Sequence, residues 1–157
     1  MRNAFRFVAL ASERFAPLFE RSDMALRALG ARRLVVDEYP GFPCRVSLAD
    51  ARVGETVLAL PFTHHDVDSP YRASGPIFVR RGVESATPEV DEIPVMFAHR
   101  LLSLRGYDED AMMITAEVVD GSELEAAIRL HLDNESVRYL HLHNARPGCY
   151  NCRVERA

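Results

Sequence analysis

Residues 139–154 read YLHLHNARPGCYNCRV, two alternating runs separated by a proline-glycine turn. Alternation with period two is the signature of a β-strand, and Pro147-Gly148 is turn chemistry, so the segment predicts a β-hairpin. On its first strand Leu140 and Leu142 share one face while Tyr139, His141 and His143 share the other. The leucines are expected to face the core and the imidazoles a cleft. A four-residue loop over Ala145–Gly148 pairs His143 with Tyr150 and His141 with Cys152. A loop one residue longer brings His143 opposite Cys149, and the spacing leaves both registers open.

Upstream of this hairpin, Ser122 and Glu125 have capping-box spacing before a helix whose stripe is Leu124, Ala127, Ile128 and Leu132. Between residues 43 and 119 the runs PCRVSL, ETVLALPF, GPIFVRR, HRLLSLRGY and MMITAEVV are short, apolar and bounded by Pro, Gly or acidic residues, as strands are. Near the N-terminus, FRFVAL (5–10) predicts a strand. Helices capped by Ser12 and Ser22 follow, the second ending at Gly30, and then comes a strand in RRLVVDEY. The order argues for an α+β fold. Its parts are a mostly antiparallel sheet or partial barrel, two N-terminal helices, and one capped helix before the C-terminal hairpin. No repeat, linker or composition shift divides the chain, so residues 1–157 are expected to form a single domain.

Composition narrows the function. Net charge is -4 and every basic residue is arginine, which leaves no positive field for nucleic acid. No apolar run approaches the roughly 20 residues that span a bilayer, so no membrane role is expected. Three cysteines make no disulfide framework and suit a reducing, cytoplasmic setting.

Two regions concentrate chemistry. In THHDVDSPYRASG (63–75), His65, Ser69, Tyr71 and Arg72 decorate an irregular loop that leads into a buried strand, a suitable wall for a ligand pocket. Arg105 and Tyr107, on one face of HRLLSLRGY, extend that set. Guanidinium groups of Arg72, Arg100 or Arg105 would grip a carboxylate or phosphate in bidentate fashion. The leading expectation is therefore a small anionic molecule bound between the 64–75 loop and the hairpin. If turnover occurs there, His143 is the acid/base and Cys149 the nucleophile. No cofactor is expected on that reading. The alternative is a zinc module using His141, His143, Cys149 and Cys152, although CxxC on a regular strand points its thiols to opposite faces. A third alternative is a non-catalytic domain that forms a homodimer or binds a partner through an exposed strand.

The blocks SPYRASGPIFVR (69–80), FPCRVSLADA (42–51), RLLSLRGYD (100–108) and HNARPGCY (143–150) together resemble a bacterial family known as domain of unknown function 1203. The resemblance implies a small, soluble, stand-alone bacterial domain. It brings no activity, cofactor or catalytic residue with it.

Overall fold

A computed structural model describes residues 3–157. Eight strands form two open antiparallel sheets, neither closed into a barrel. The larger joins β1 (Phe5–Val8), β5 (Leu101–Tyr107), β6 (Met113–Asp120), β7 (Tyr139–Asn144) and β8 (Tyr150–Arg156) in the order β1-β8-β7-β5-β6. The smaller joins β2 (Arg32–Val35), β3 (Thr56–His65) and β4 (Ala73–Arg80) in chain order. The β7–β8 pair is the hairpin expected from the sequence.

Period-two alternation sorts the larger sheet into two faces. Leu102, Leu104, Leu140, Leu142, Cys152 and Val154 turn one way and, with Phe5 and Phe7, pack beneath Leu124, Ala127, Ile128 and Leu132 of helix α2 (Leu124–Leu132). Gly106 belongs to this face because a Cβ there would collide with Thr115 Oγ1, the atom hydrogen-bonded to His131 Nδ1. A second core lies against the smaller sheet. Leu58, Leu60, Phe62, Ile77 and Val79 meet Phe15, Phe19 and Leu26 from the N-terminal segment, and Tyr150 joins them from the hairpin.

Three local expectations are corrected. The helix placed after Ser12 is two 3-10 turns, Ser12–Arg14 and Ala16–Glu20, with Pro17 in the first turn of the second. Only the next helix, α1 (Asp23–Ala28), is α, capped as expected by Ser22 Oγ accepting from the Ala25 amide at 3.1 Å. The cap before α2 is Asp120, which accepts from the Ser122 amide, because a 3-10 turn over Gly121–Glu123 starts the helix one step early. Glu125 pairs with Arg129 one turn on. PCRVSL is no strand. It is a turn tied by isolated bridges Pro43–Asp50 and Cys44–Phe78. No described helix is long and apolar enough to cross a membrane.

Candidate functional site

On the face of the larger sheet opposite α2 stand Ser103, Arg105 and Tyr107 of β5, Tyr139, His141 and His143 of β7, and Tyr150 and Arg153 of β8. The smaller sheet reaches this face through the end of β3. His64 and His65 are adjacent in sequence and would normally point to opposite sides of a strand. The pairing of β3 with β4 shifts register between Phe62 and His65, and such a bulge re-aims side chains. Both imidazoles consequently reach the hairpin. The His64 ring lies 5.0 Å from His143, 6.2 Å from His141, and is stacked on Tyr150 at 5.1 Å and 10°. The His65 ring lies 5.1 Å from His141 and 4.3 Å from Tyr107.

Hydrogen bonds assign the tautomers of two rings. His65 Nδ1 faces the Tyr71 carbonyl at 2.8 Å and must donate, so its Nε2 accepts from the Tyr139 hydroxyl at 2.6 Å. Tyr139 is stacked against Tyr107 at 5.2 Å and carries the Arg153 guanidinium 4.0 Å from its ring centre. His143 Nδ1 likewise donates to the Gly148 carbonyl at 2.9 Å, leaving Nε2 as a lone pair that is buried without a partner. His64 Nδ1 and His141 Nδ1 are also buried without a partner. Removing polar atoms from water without replacing the lost bond costs about 1–3 kcal/mol each, so three on one surface is an unusual outlay.

All three of these imidazoles are held neutral. Burial, followed by the neighbouring His65 and His143, pushes His141 down to about 2. Burial is also the main cause for His143, opposed by the Gly148 carbonyl and reinforced by Arg105, and brings it to about 3. His64 falls to about 4 through burial, His65 and Arg105. Arg105 adds its charge to the effect of burial at His64 and His143. It donates to Ser103 Oγ at 3.1 Å. Among the described residues no carboxylate pairs with it.

Outside these rings opens a cleft of about 540 Å³ lined by His64, His141, Tyr150, Asp66, Arg14 and Arg153, among others. Arg153 shares its charge with Glu155 at 2.6 Å. Arg14 lies 4.7 Å over the Phe62 ring, and among the described residues no carboxylate pairs with it either.

The sequence-predicted residues divide into three groups. His65, Tyr71, Arg105, Tyr107 and His143 converge on the sheet face. Ser69 and Arg72 do not: Ser69 braces its own loop through the Ala111 carbonyl and the Tyr71 amide, and Arg72 is 64% exposed beside Asp66. Cys149 and Cys152 turn elsewhere. A bulge between Leu142 and His143 pairs His143 with Tyr150 but His141 with Arg153, which rotates Cys152 beneath the leucine face. Burial there raises its thiol to about 12. The zinc set His141, His143, Cys149 and Cys152 is therefore split between two sides of the sheet. Among the described residues no three His, Cys, Asp or Glu side chains stand where they could hold one metal ion. The Cys149 sulfur accepts from Asn144 Nδ2 at 3.5 Å rather than meeting His143, whose Nδ1 is committed to Gly148.

Sequence reading passed over Arg14, whereas His64, Tyr150 and Arg153 lie in the two regions it marked but were given no role in the site. The one local signal was the His64-His65 pair itself, because adjacent histidines at a strand end serve one site only if the strand is bulged.

The molecule is an α+β domain of two antiparallel sheets with a histidine- and tyrosine-lined face where they meet. A family model described as a protein of unknown function, DUF1203, matches residues 41–156, and the chain belongs to that family. No curated protein and no solved structure matches the chain.

Proposed function

We propose that the cleft over His64, His141 and Tyr150 binds a small anion that also carries a hydrogen-bonding group. The observation that carries this reading is the pair of ring nitrogens, His64 Nδ1 and His141 Nδ1, that have no partner among the described residues, on rings lining a cleft beside an arginine, Arg14, that has no acid partner among them either. Neutral imidazoles offer a donor or a lone pair without adding charge, and the guanidinium groups of Arg14 and Arg153 supply the attraction. Arg105, behind His64, helps keep the rings neutral rather than gripping the ligand from within the cleft.

A thermal-shift screen of small carboxylates, hydroxy acids and phosphate esters tests the proposal. A ligand at about 100 times its Kd adds about 2.7 kcal/mol to folding stability. The shift produced by a hit should disappear in Arg14→Met and in His64→Phe. A hit whose shift survives both substitutions would place its binding elsewhere and remove the proposal, as would a panel without any hit.

A second reading, self-association, draws on the open edge of the larger sheet. On edge strand β6, Val118 is 63% and Ile114 40% exposed, and an uncovered edge offers backbone groups to a second strand. Light scattering on the purified chain should give twice the monomer mass if β6 pairs with its copy. A monomer across the micromolar range would end that reading.

A further inference from the structure

The backbone of Tyr150 connects the imidazole face to a second and larger cleft. Its carbonyl accepts from Arg45 Nε at 2.8 Å, while Arg45 Nη1 donates to the Pro43 carbonyl at 2.5 Å. Arg45 is 1% exposed, its guanidinium lies 5.7 Å from the Phe78 ring centre, and its Nη2 is buried without a hydrogen-bond partner. Among the described residues no carboxylate forms an ion pair with it. A buried cation without a counter-ion is costly, and Arg cannot escape by losing its proton. The guanidinium lines the same cleft as the thiol of Cys149.

The sulfur of Cys149 is held by a side-chain amide. Asn144 Nδ2 points to it at 3.5 Å, and the Asn144 amide is itself oriented by the fully buried Asn151, whose Nδ2 donates to Asn144 Oδ1 at 2.6 Å. The sulfur lies in a cleft of about 940 Å³ lined also by Arg45, Asn144 and Arg146. Arg100 and His99 line the same cleft but are engaged by Asp50, and Glu38 and Asp120 line it too. The other two cysteines are buried, Cys44 at 0% and Cys152 at 1% exposure.

We propose that Cys149 is a thiol-exchange site selective for small disulfides that carry a carboxylate, with Arg45 Nη2 receiving that carboxylate and Asn144 steadying the sulfur. Thiol exchange suits this surrounding better than acyl transfer. It requires a sulfur nucleophile and a departing thiolate, whereas acyl transfer also needs a base and oxyanion donors, and of the candidate bases His143 is bonded to Gly148 and His99 is engaged by Asp50. In the step itself the Cys149 sulfur forms a bond to one sulfur of the disulfide and the original S–S bond breaks. The second sulfur leaves with the electron pair as a thiolate, and the thiol proton passes to water. One mixed disulfide and one free thiolate result, with no net change in oxidation state.

The test compares two reagents on the native full-length chain, the dianionic 5,5′-dithiobis(2-nitrobenzoate) and the neutral 4,4′-dithiodipyridine, with a free small thiol as reference. We expect one equivalent of leaving thiolate per chain, absent in Cys149→Ser. The ratio of anionic to neutral rate should exceed that of the free thiol by about tenfold, the lower end of electrostatic steering. Arg45→Met should bring the ratio down to the free-thiol value. Should that variant fail to fold, inorganic phosphate on the native chain serves in its place and should slow the anionic reagent while sparing the neutral one. Asn144→Ser should slow both reagents alike. A rate ratio equal to that of the free thiol, or an equivalent that persists in Cys149→Ser, would overturn the proposal.

Discussion

The two faces of the larger sheet are built by the same strands and are almost equally removed from water, yet they differ in kind. Beneath α2, Leu102, Leu104, Leu140 and Leu142 are each 0% exposed and need nothing but packing. On the reverse side His141 and His143 are 2% and 1% exposed, and each keeps a ring nitrogen that nothing in the fold satisfies. The first face shows how the chain becomes stable. The second is carried at a cost to stability, and polar groups kept buried at a cost are where binding chemistry is expected.

That contrast can be broken most severely with acid. An unfolded histidine takes up its proton near pH 6.5, whereas folded His143 and His141 resist until about 3 and 2. Above pH 6.5 both states are neutral and the rings contribute no pH dependence. Below it the unfolded state binds more protons, so stability is lost as pH falls, and the loss continues until the folded values are reached. Each ring contributes about 1.4 kcal/mol per pH unit, so the pair contributes about 3 kcal/mol per unit below pH 6. Urea unfolding from pH 7 to pH 4 should show this slope, and the double variant His141→Gln, His143→Gln should flatten most of it. An unchanged slope in the double variant would mean that other groups set the acid response.

Truncation sharpens the comparison at fixed pH. Leu142→Ala should cost about 2–5 kcal/mol at pH 7, since a fully buried leucine leaves a cavity against α2. His141→Leu, one residue away on the opposite face, should change stability by less than about 1 kcal/mol, because it replaces an unsatisfied polar ring by an apolar side chain. Chemical denaturation of the two variants provides the check. Equal, large losses would show that the imidazole is as structural as the leucine.

The smallest effect expected lies away from both faces. Ser22→Ala removes the cap of α1 and should cost about 1 kcal/mol by the same measurement. A loss several times larger would show that the N-terminal segment bears on the second core more heavily than a six-residue helix should.

Much of this architecture was legible from residue order. The hairpin, the leucine face, the α2 stripe and the Ser22 cap all follow from periodicity and capping chemistry, which act over a few residues. The misreadings share one physical origin, irregular backbone. Pro17 turned an expected helix into 3-10 turns, and the extra residue between Tyr150 and Cys152 took Cys152 out of the pairing with His141 that a four-residue loop would have given. A third irregularity, between Phe62 and His65, brought His64 into the site, and a bulge leaves no mark in apolar alternation. Arg14 and Arg45 were illegible for another reason. Each meets the site through contacts distant in sequence, and an arginine that will lack a carboxylate looks the same in sequence as one that will have it.

The state of the imidazoles is the most direct point of attack. Two-dimensional proton–nitrogen spectra of uniformly nitrogen-15-labelled protein at pH 5 report ring charge and tautomer for each histidine. We predict His141 and His143 neutral, with the proton of His143 on Nδ1 and its Nε2 free. A charged His143 at that pH, or a proton found on its Nε2, would contradict the picture of a buried face holding an unused lone pair.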